Sequence, residues 1–340
     1  MRALVTGGGG FLGSHIVRQL VDRGDQVRVF CRGDYPELRE WGVELVRGDI
    51  RDAAAVQAAC AGMDAVFHVA SIPGITVYYR PYYETNVLGT QNVIDACRKC
   101  GVGKLIYTSS GSVTDAGKPQ LGVDESTPYP TRHLAHYPRT KAIAERMVIK
   151  ANKTPFTSGG HSGELLTCSL RPHLLWGAGD RQLVPRLLER ARRGWLYQVG
   201  EGKSMLDIIY IDNGARAHLL ACDALTPDSP VAGSVYYITQ GEPVNCWDWI
   251  NEILSLANLP PVQKKISFQA AWNIGACYEW FYWLFGIKTE PPMTRFLSTQ
   301  LAQSYWFKID KARRDFGFVP EISKEEGMKR LAEDLKNFHF

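Results

Sequence analysis

The feature that constrains this chain most is a glycine-dense turn close to its start. The apolar run Ala3-Leu4-Val5 passes through Thr6-Gly7-Gly8-Gly9-Gly10-Phe11-Leu12-Gly13 into a stretch with helical spacing, residues 13–23. A turn this short between a strand and a helix needs residues without side chains. Backbone N–H groups can then approach a pyrophosphate, and the helix N-terminus faces its charge. A glycine triplet alone is a weak signal, but between the first strand and first helix of a βαβ unit it is specific. Gly7, Gly10, Phe11, Leu12 and Gly13 are therefore the expected dinucleotide contacts.

The same rhythm continues down the chain. Strands are expected at 26–30, 44–46, 65–68, 105–107 and 165–170, with helices over 53–61 and 82–100 between them. Strands alternating with helices make βαβ units, and right-handed crossovers wind them into an α/β fold with a Rossmann-type doubly wound parallel sheet. A dinucleotide-binding domain is thus expected over residues 1–170. The Ser/Gly/Thr-rich stretch 152–163 reads as an exposed loop. The apolar run 208–211 reads as a strand returning to the sheet within a segment near 205–240. Otherwise residues 171–340 are expected to build a smaller substrate-binding part.

Composition narrows the function classes. With 340 residues, 45% hydrophobic and 22% charged, the chain is neither disordered nor fibrous. A net charge of +4 makes no case for nucleic acid and slightly favours a phosphorylated cofactor or an acidic substrate. The eight cysteines are scattered and Met1 runs straight into an apolar strand. A cytoplasmic protein with reduced thiols is the simplest expectation. Cys97-Arg98-Lys99-Cys100 has the spacing of a redox or zinc half-site, yet it falls late in a helical pattern with no second pair nearby, so no metal is expected.

The end of the second strand chooses between cofactors. An acidic residue there would bind the ribose 2′-hydroxyl. This chain has Cys31-Arg32 instead, and an arginine fork suits a 2′-phosphate, so NADP is favoured over NAD, with Asp34 close enough to compete. Asp49 and Ile50, after the third strand, are placed to contact adenine. His68-Val69-Ala70-Ser71, after the fourth, would wall the cofactor at Ala70, with His68 a structural residue.

Chemistry is expected from Tyr137-Pro138-Arg139-Thr140-Lys141. Positions i and i+4 share a helix face, so Tyr137 and Lys141 project together. Pro138 is tolerated only in a first turn, which puts Tyr137 at the helix entrance. A free phenol titrates near 10, and the Lys141 ammonium, with the positive charge of an oxidised nicotinamide, is expected to bring it down. Upstream, Tyr107-Thr108-Ser109-Ser110 closes a strand with hydroxyls that can donate to a substrate oxygen. Residues 268–285 hold eight aromatics in 18 positions. They read either as a buried or dimer-facing helix, or as an apolar wall for a greasy substrate that also touches a membrane surface.

Together, Thr-Gly-x-x-Gly-x-x-Gly, Thr-Ser-Ser and Tyr-Pro-x-Thr-Lys-x-x-Ala-Glu resemble the extended short-chain dehydrogenase/reductase family along essentially the whole chain, and its 3β-hydroxysteroid dehydrogenase branch in particular. Leu170-Arg171-Pro172, Trp176-Gly177-Ala178-Gly179-Asp180 and Tyr210-Ile211-Asp212-Asn213 continue the likeness. The resemblance implies Tyr137, Lys141 and Ser110 as the catalytic set, with Ser109 beside the cofactor and Pro172 and Leu175 against the nicotinamide. It implies interconversion of a 3-keto and a 3-hydroxy group on a hydrophobic, lipid-like small molecule, most closely a 3-keto acid with a bulky 2-substituent. A sterol 3β-hydroxy-4α-carboxylate dehydrogenase, a nucleotide-sugar epimerase or dehydratase, and a non-catalytic nucleotide sensor are the alternatives. A homodimer, and association with pathway enzymes or peripherally with a membrane surface, are the partner expectations. Arg80, Arg181 and Arg295 are the candidates for holding a substrate carboxylate.

Overall fold

A computed structural model describes residues 1–158 and 161–336. Its central sheet carries the parallel strands Arg2–Thr6, Gln26–Cys31, Glu44–Arg47, Ala65–His68, Lys104–Thr108, His161–Pro172 and Val235–Ile238. Counted in chain order, they lie 3-2-1-4-5-6-7 across the sheet, and neighbours pair in parallel. Ala3, Leu4 and Val5 are all fully buried, as a parallel strand covered on both faces requires. Leu4, Phe30, Val66 and Leu105 pack on one face; Ala3, Val29, Phe67 and Ile106 pack on the other. Strand order reverses between the first and fourth strands, so the crevice at their carboxyl ends, beside Thr6 and His68, is where a doubly wound sheet takes its ligand.

Three elements differ from the sequence reading. Residues 152–163 are not simply a loop: Thr154–Ser158 pairs antiparallel with the start of His161–Pro172. The alternation of half-buried Thr154, Phe156 and Ser158 with exposed Pro155 and Thr157 was the signal, masked by the Ser/Gly composition. The returning strand is not 208–211. Ile209–Tyr210 pairs with Leu175–Trp176 outside the main sheet, and Ile211 already begins a helix. The seventh strand is Val235–Ile238, a β-branched and aromatic run bounded by Gly233 and Gly241, both at positive φ. The helix expected over 82–100 begins at Tyr79, passes through a π turn at Tyr83–Leu88 and continues as Gly89–Cys100. Wider turns of this kind recur at functional sites. Here the turn aims buried Asn86 across to Ile72, accepting from its N–H at 2.8 Å, and to Thr140 Oγ1, to which Nδ2 donates at 3.2 Å.

The aromatic stretch forms the helix Phe268–Leu284, which is not buried: only Ala271 and Gly275 are. Large side chains surround the helix, so close packing is confined to its small-residue stripe. A Cβ at Gly275 would fall 2.6 Å from the backbone carbon of Thr294. Glu279 accepts from the Arg295 N–H at 2.7 Å and pins the same contact. Trp280, Trp283 and Phe285 remain 62%, 63% and 62% exposed. Among the described residues, no helix is long and apolar enough to cross a membrane.

Candidate active site

The first turn after the first strand has the shape its glycines demand. Gly7 lies at φ +73°, and a Cβ there would sit 2.8 Å from Ala70 Cα. At Gly13 a Cβ would come within 2.2 Å of the Gly7 carbonyl oxygen, so the helix packs against the turn only because both lack side chains. The Gly10 N–H closes the turn on the Gly7 carbonyl at 2.9 Å. A negatively charged diphosphate fits this cradle of backbone donors at a helix N-terminus.

The cradle opens into a cavity of about 880 Å³. Of the residues expected from the sequence, Gly7, Gly10, Phe11, Leu12, Gly13, Arg32, Asp49, Ile50, Ala70, Ser109, Ser110, Tyr137, Pro172 and Leu175 all line it. Lys141 lies behind the wall, 1% exposed. The sequence reading missed Tyr35, Thr85 and Gln182, which also line the cavity, while Leu174 falls within the segment from Pro172 to Leu175 expected there. Tyr35 lies over the turn so closely that a Cβ at Gly9 would meet its ring at 2.2 Å. No spacing rule points to it, because it acts from a loop after the second strand. Leu174 holds φ +41°, a backbone conformation uncommon outside glycine and typical of functional segments.

At the adenosine end, Asp34 accepts from Arg39 at 2.9 Å and Asp49 from Arg51 at 2.7 Å, so both carboxylates are neutralised locally. Among the described residues, Arg32 makes no ion pair and is exposed toward the cavity. His68 is buried between Thr6 Oγ1 at 2.7 Å and Thr90 Oγ1 at 3.0 Å. Burial, with the Lys141 charge nearby, lowers its pKa to about 3. It is a structural histidine.

Tyr137 is the second residue of the helix His136–Lys150 and is followed by Pro138, as the first-turn argument requires. The Ser110 hydroxyl is hydrogen-bonded to Ser112 Oγ at 2.8 Å and lies near enough to the Tyr137 phenol to act on its pKa. Ser109 Oγ, in contrast, is buried without a partner among the described residues. Of the two serines it is Ser110 whose hydroxyl acts on the tyrosine. Lys141 Nζ donates to the Thr108 carbonyl and sits 4.3 Å from the centroid of the Tyr107 ring. Burial lowers it to about 7, against the pull of Glu145. The Tyr137 phenol is held above its ordinary value by burial, with the Ser110 hydrogen bond opposing. In this arrangement the ammonium faces the strand end, and a lowered phenol is the expectation with the oxidised nicotinamide's positive charge beside it.

The helix is fixed from behind by Glu145 and Arg171, 0% and 2% exposed, in a forked ion pair with contacts of 2.7, 3.0 and 3.1 Å. The Tyr129 hydroxyl donates to the same carboxylate at 2.6 Å. None of Arg80, Arg181 and Arg295 lines the cavity. Arg80 is bound to Glu84 at 2.6 Å, Arg295 to Glu279 at 2.7 Å, and Arg181 lies 3.8 Å from Glu37 while 76% exposed.

The chain is similar to proteins of known activity along its length. A 2-alkyl-3-oxoalkanoate reductase of Stenotrophomonas maltophilia (strain K279a) is 49% identical over 334 residues, spanning 97% of this chain and 98% of that protein. A mouse (Mus musculus) sterol-4-alpha-carboxylate 3-dehydrogenase, decarboxylating, is 31% identical across 99% of this chain and 91% of its own. The UDP-glucose 4-epimerase of Thermus thermophilus, solved with NAD, superposes with a TM-score of 0.74 at 23% identity over the whole of both chains, a likeness of fold. The model of the 3-beta hydroxysteroid dehydrogenase/isomerase family matches residues 4–268, and the chain belongs to that family.

Proposed function

We propose that this chain reduces the C3 carbonyl of a 2-alkyl-3-oxo carboxylic acid to the 3-hydroxy acid, with NADPH as the reductant. As a member of its family the chain is a nicotinamide-dinucleotide-dependent oxidoreductase acting on CH–OH groups. The observation that carries the finer reading is the meeting of the glycine cradle, Ser110 and Tyr137 in one cavity, in a chain nearly half identical to a reductase of that substrate class. When bound, the nicotinamide supplies the hydride. The chain's own part is to hold the C3 oxygen between the Ser110 and Tyr137 hydroxyls and to deliver the Tyr137 proton to it. Burial keeps that phenol protonated through neutrality, which suits the reductive direction. A screen of NADPH and NADH oxidation against 2-alkyl-3-oxo acids and 3-keto steroids tests the reading. NADPH consumption with the acids supports it, and activity confined to the steroids overturns it.

The preference for NADPH rests on Arg32, which makes no ion-pair contact among the described residues while Asp34 and Asp49 are held by Arg39 and Arg51. A charge-assisted hydrogen bond contributes roughly 1.5–3 kcal/mol. Arg32→Ala should therefore raise the KM for NADPH about ten- to a hundredfold and leave that for NADH nearly unchanged. Equal effects on both cofactors would remove the 2′-phosphate role.

The helix Phe268–Leu284 serves as an apolar apron to the substrate entrance. None of its residues lines the cavity, but the Tyr78 hydroxyl donates to the Tyr282 carbonyl at 3.1 Å, which ties the helix to the segment carrying the cavity residue Pro73. Each methylene buried on the apron is worth roughly 0.8 kcal/mol, so affinity should climb with chain length. Replacing Trp280 and Trp283 with serine should flatten that climb and spare short substrates. Since both rings are largely exposed, folding should survive. An unchanged chain-length profile would refute the apron.

A further inference from the structure

In a 2-alkyl-3-oxo acid only one carbon separates the carboxylate from the reacting carbonyl. Whatever receives the carboxylate must therefore neighbour the hydroxyls that hold the C3 oxygen. The exposed arginines fail this condition, being engaged with carboxylates away from the cavity.

A half-buried histidine lies beside those hydroxyls, just outside the cavity lining and against the residue that follows Ser110. His173 lies between Pro172 and Leu174, both of which line the cavity, and Leu174 carries the unusual backbone at φ +41°. The imidazole is fixed on two sides. Its Nδ1–H donates to the Asp207 carbonyl at 2.8 Å, and its ring packs against Phe307 with centroids 5.1 Å apart. The other edge of the ring faces the residue after Ser110: a Cβ at Gly111 would lie 3.0 Å from His173 Cδ2, the carbon bonded to Nε2. Among the described residues Nε2 has no hydrogen-bond partner. A ring locked through Nδ1 with a free Nε2 is a poised contact.

We propose that His173 receives the substrate carboxylate, presenting Nε2–H of an imidazolium to one carboxylate oxygen while Ser110 and Tyr137 hold the oxygen on C3. The inference rests on the substrate class proposed above. Nδ1 already carries a proton for the Asp207 carbonyl, so Nε2 must gain one to meet an anion. Burial holds the free ring below the ordinary histidine range, with only the Asp207 carbonyl opposing. The incoming carboxylate supplies the charge that makes protonation favourable. A histidine here selects free acids over esters, because a neutral ester brings no such charge.

The test compares oxidation, with NADP⁺, of a 2-alkyl-3-hydroxy acid and its methyl ester by wild type, His173→Phe and His173→Gln. Thermal melting of each variant establishes that it is folded. His173→Phe should raise the KM for the acid about ten- to a hundredfold, as the loss of a charge-assisted hydrogen bond requires. Both kinetic constants for the ester should stay within about twofold of wild type. His173→Gln, which keeps a neutral donor and can still bond the Asp207 carbonyl, should fall between. Equal losses on acid and ester would make the ring a support for Ser110 alone and overturn the proposal, as would an unchanged acid KM in both variants. Wild type that oxidises neither compound would instead overturn the substrate reading, and this inference with it.

Discussion

Tyr137→Phe should lower turnover about 10²–10⁴-fold while NADPH still binds, since general-acid transfer by a positioned side chain contributes on that order. The phenyl ring keeps the shape of the cavity wall and leaves the glycine cradle untouched, so only the proton donor is removed. The direction of pH dependence follows from the same group. Reduction needs the phenol, which burial keeps protonated through neutrality, and should decline only at alkaline pH. Oxidation needs the phenolate and should rise over the same range. Single-turnover mixing of NADPH-loaded protein with substrate separates the chemical step from cofactor binding. A wild-type rate in that experiment would remove Tyr137 from the reaction.

Breaking the ion pair behind the helix should cost about as much stability as any single change in this chain. Glu145→Ala leaves Arg171 buried without its counter-charge, and losses of roughly 3–5 kcal/mol accompany such cuts. The Tyr129 hydroxyl loses its acceptor in the same stroke. Glu145→Met combined with Arg171→Met removes both charges and should recover much of the loss, because a buried pair returns little net energy over a well-packed apolar one. Arg171 Nη1 is moreover buried without a partner among the described residues, so the double variant discards one orphaned donor. Urea midpoints measure both. A Glu145→Ala midpoint near wild type, or a double variant as weak as the single one, would contradict the assignment. Lys141 adds a functional reading: Glu145 holds its ammonium up against burial, so the single variant should also lose turnover per folded molecule.

Much of the candidate site was legible in the sequence because its parts are local. The glycines of the first turn, Arg32 after the second strand, Asp49 after the third and the Tyr137–Lys141 pair each follow from a spacing rule within one element and its neighbour. Several other features required contacts between distant segments. Tyr35 closes over Gly9 from a loop, and Asn86 joins the π turn to Ile72 and Thr140. The free edge of His173 emerges only when the Asp207 carbonyl and Gly111 are brought to it. The seventh strand was hidden because the apolar run before it, 208–211, looked stronger; its two paired residues lead directly into a helix. For the aromatic helix the sequence leaves two readings open, a buried or dimer-facing helix and an apolar wall, because a helix apolar on every side can bury within its own chain only the stripe its small residues allow, here Ala271 and Gly275.

The central claim is transfer of a hydride from the nicotinamide to substrate C3, with the cofactor consumed. Reduction of a 2-alkyl-3-oxo acid with NADPH carrying deuterium at both C4 positions tests it most directly. One deuterium is expected at C3 of the hydroxy acid, with one NADP⁺ released for each product formed. Product without deuterium at C3, or substrate conversion without net NADPH consumption, would contradict it.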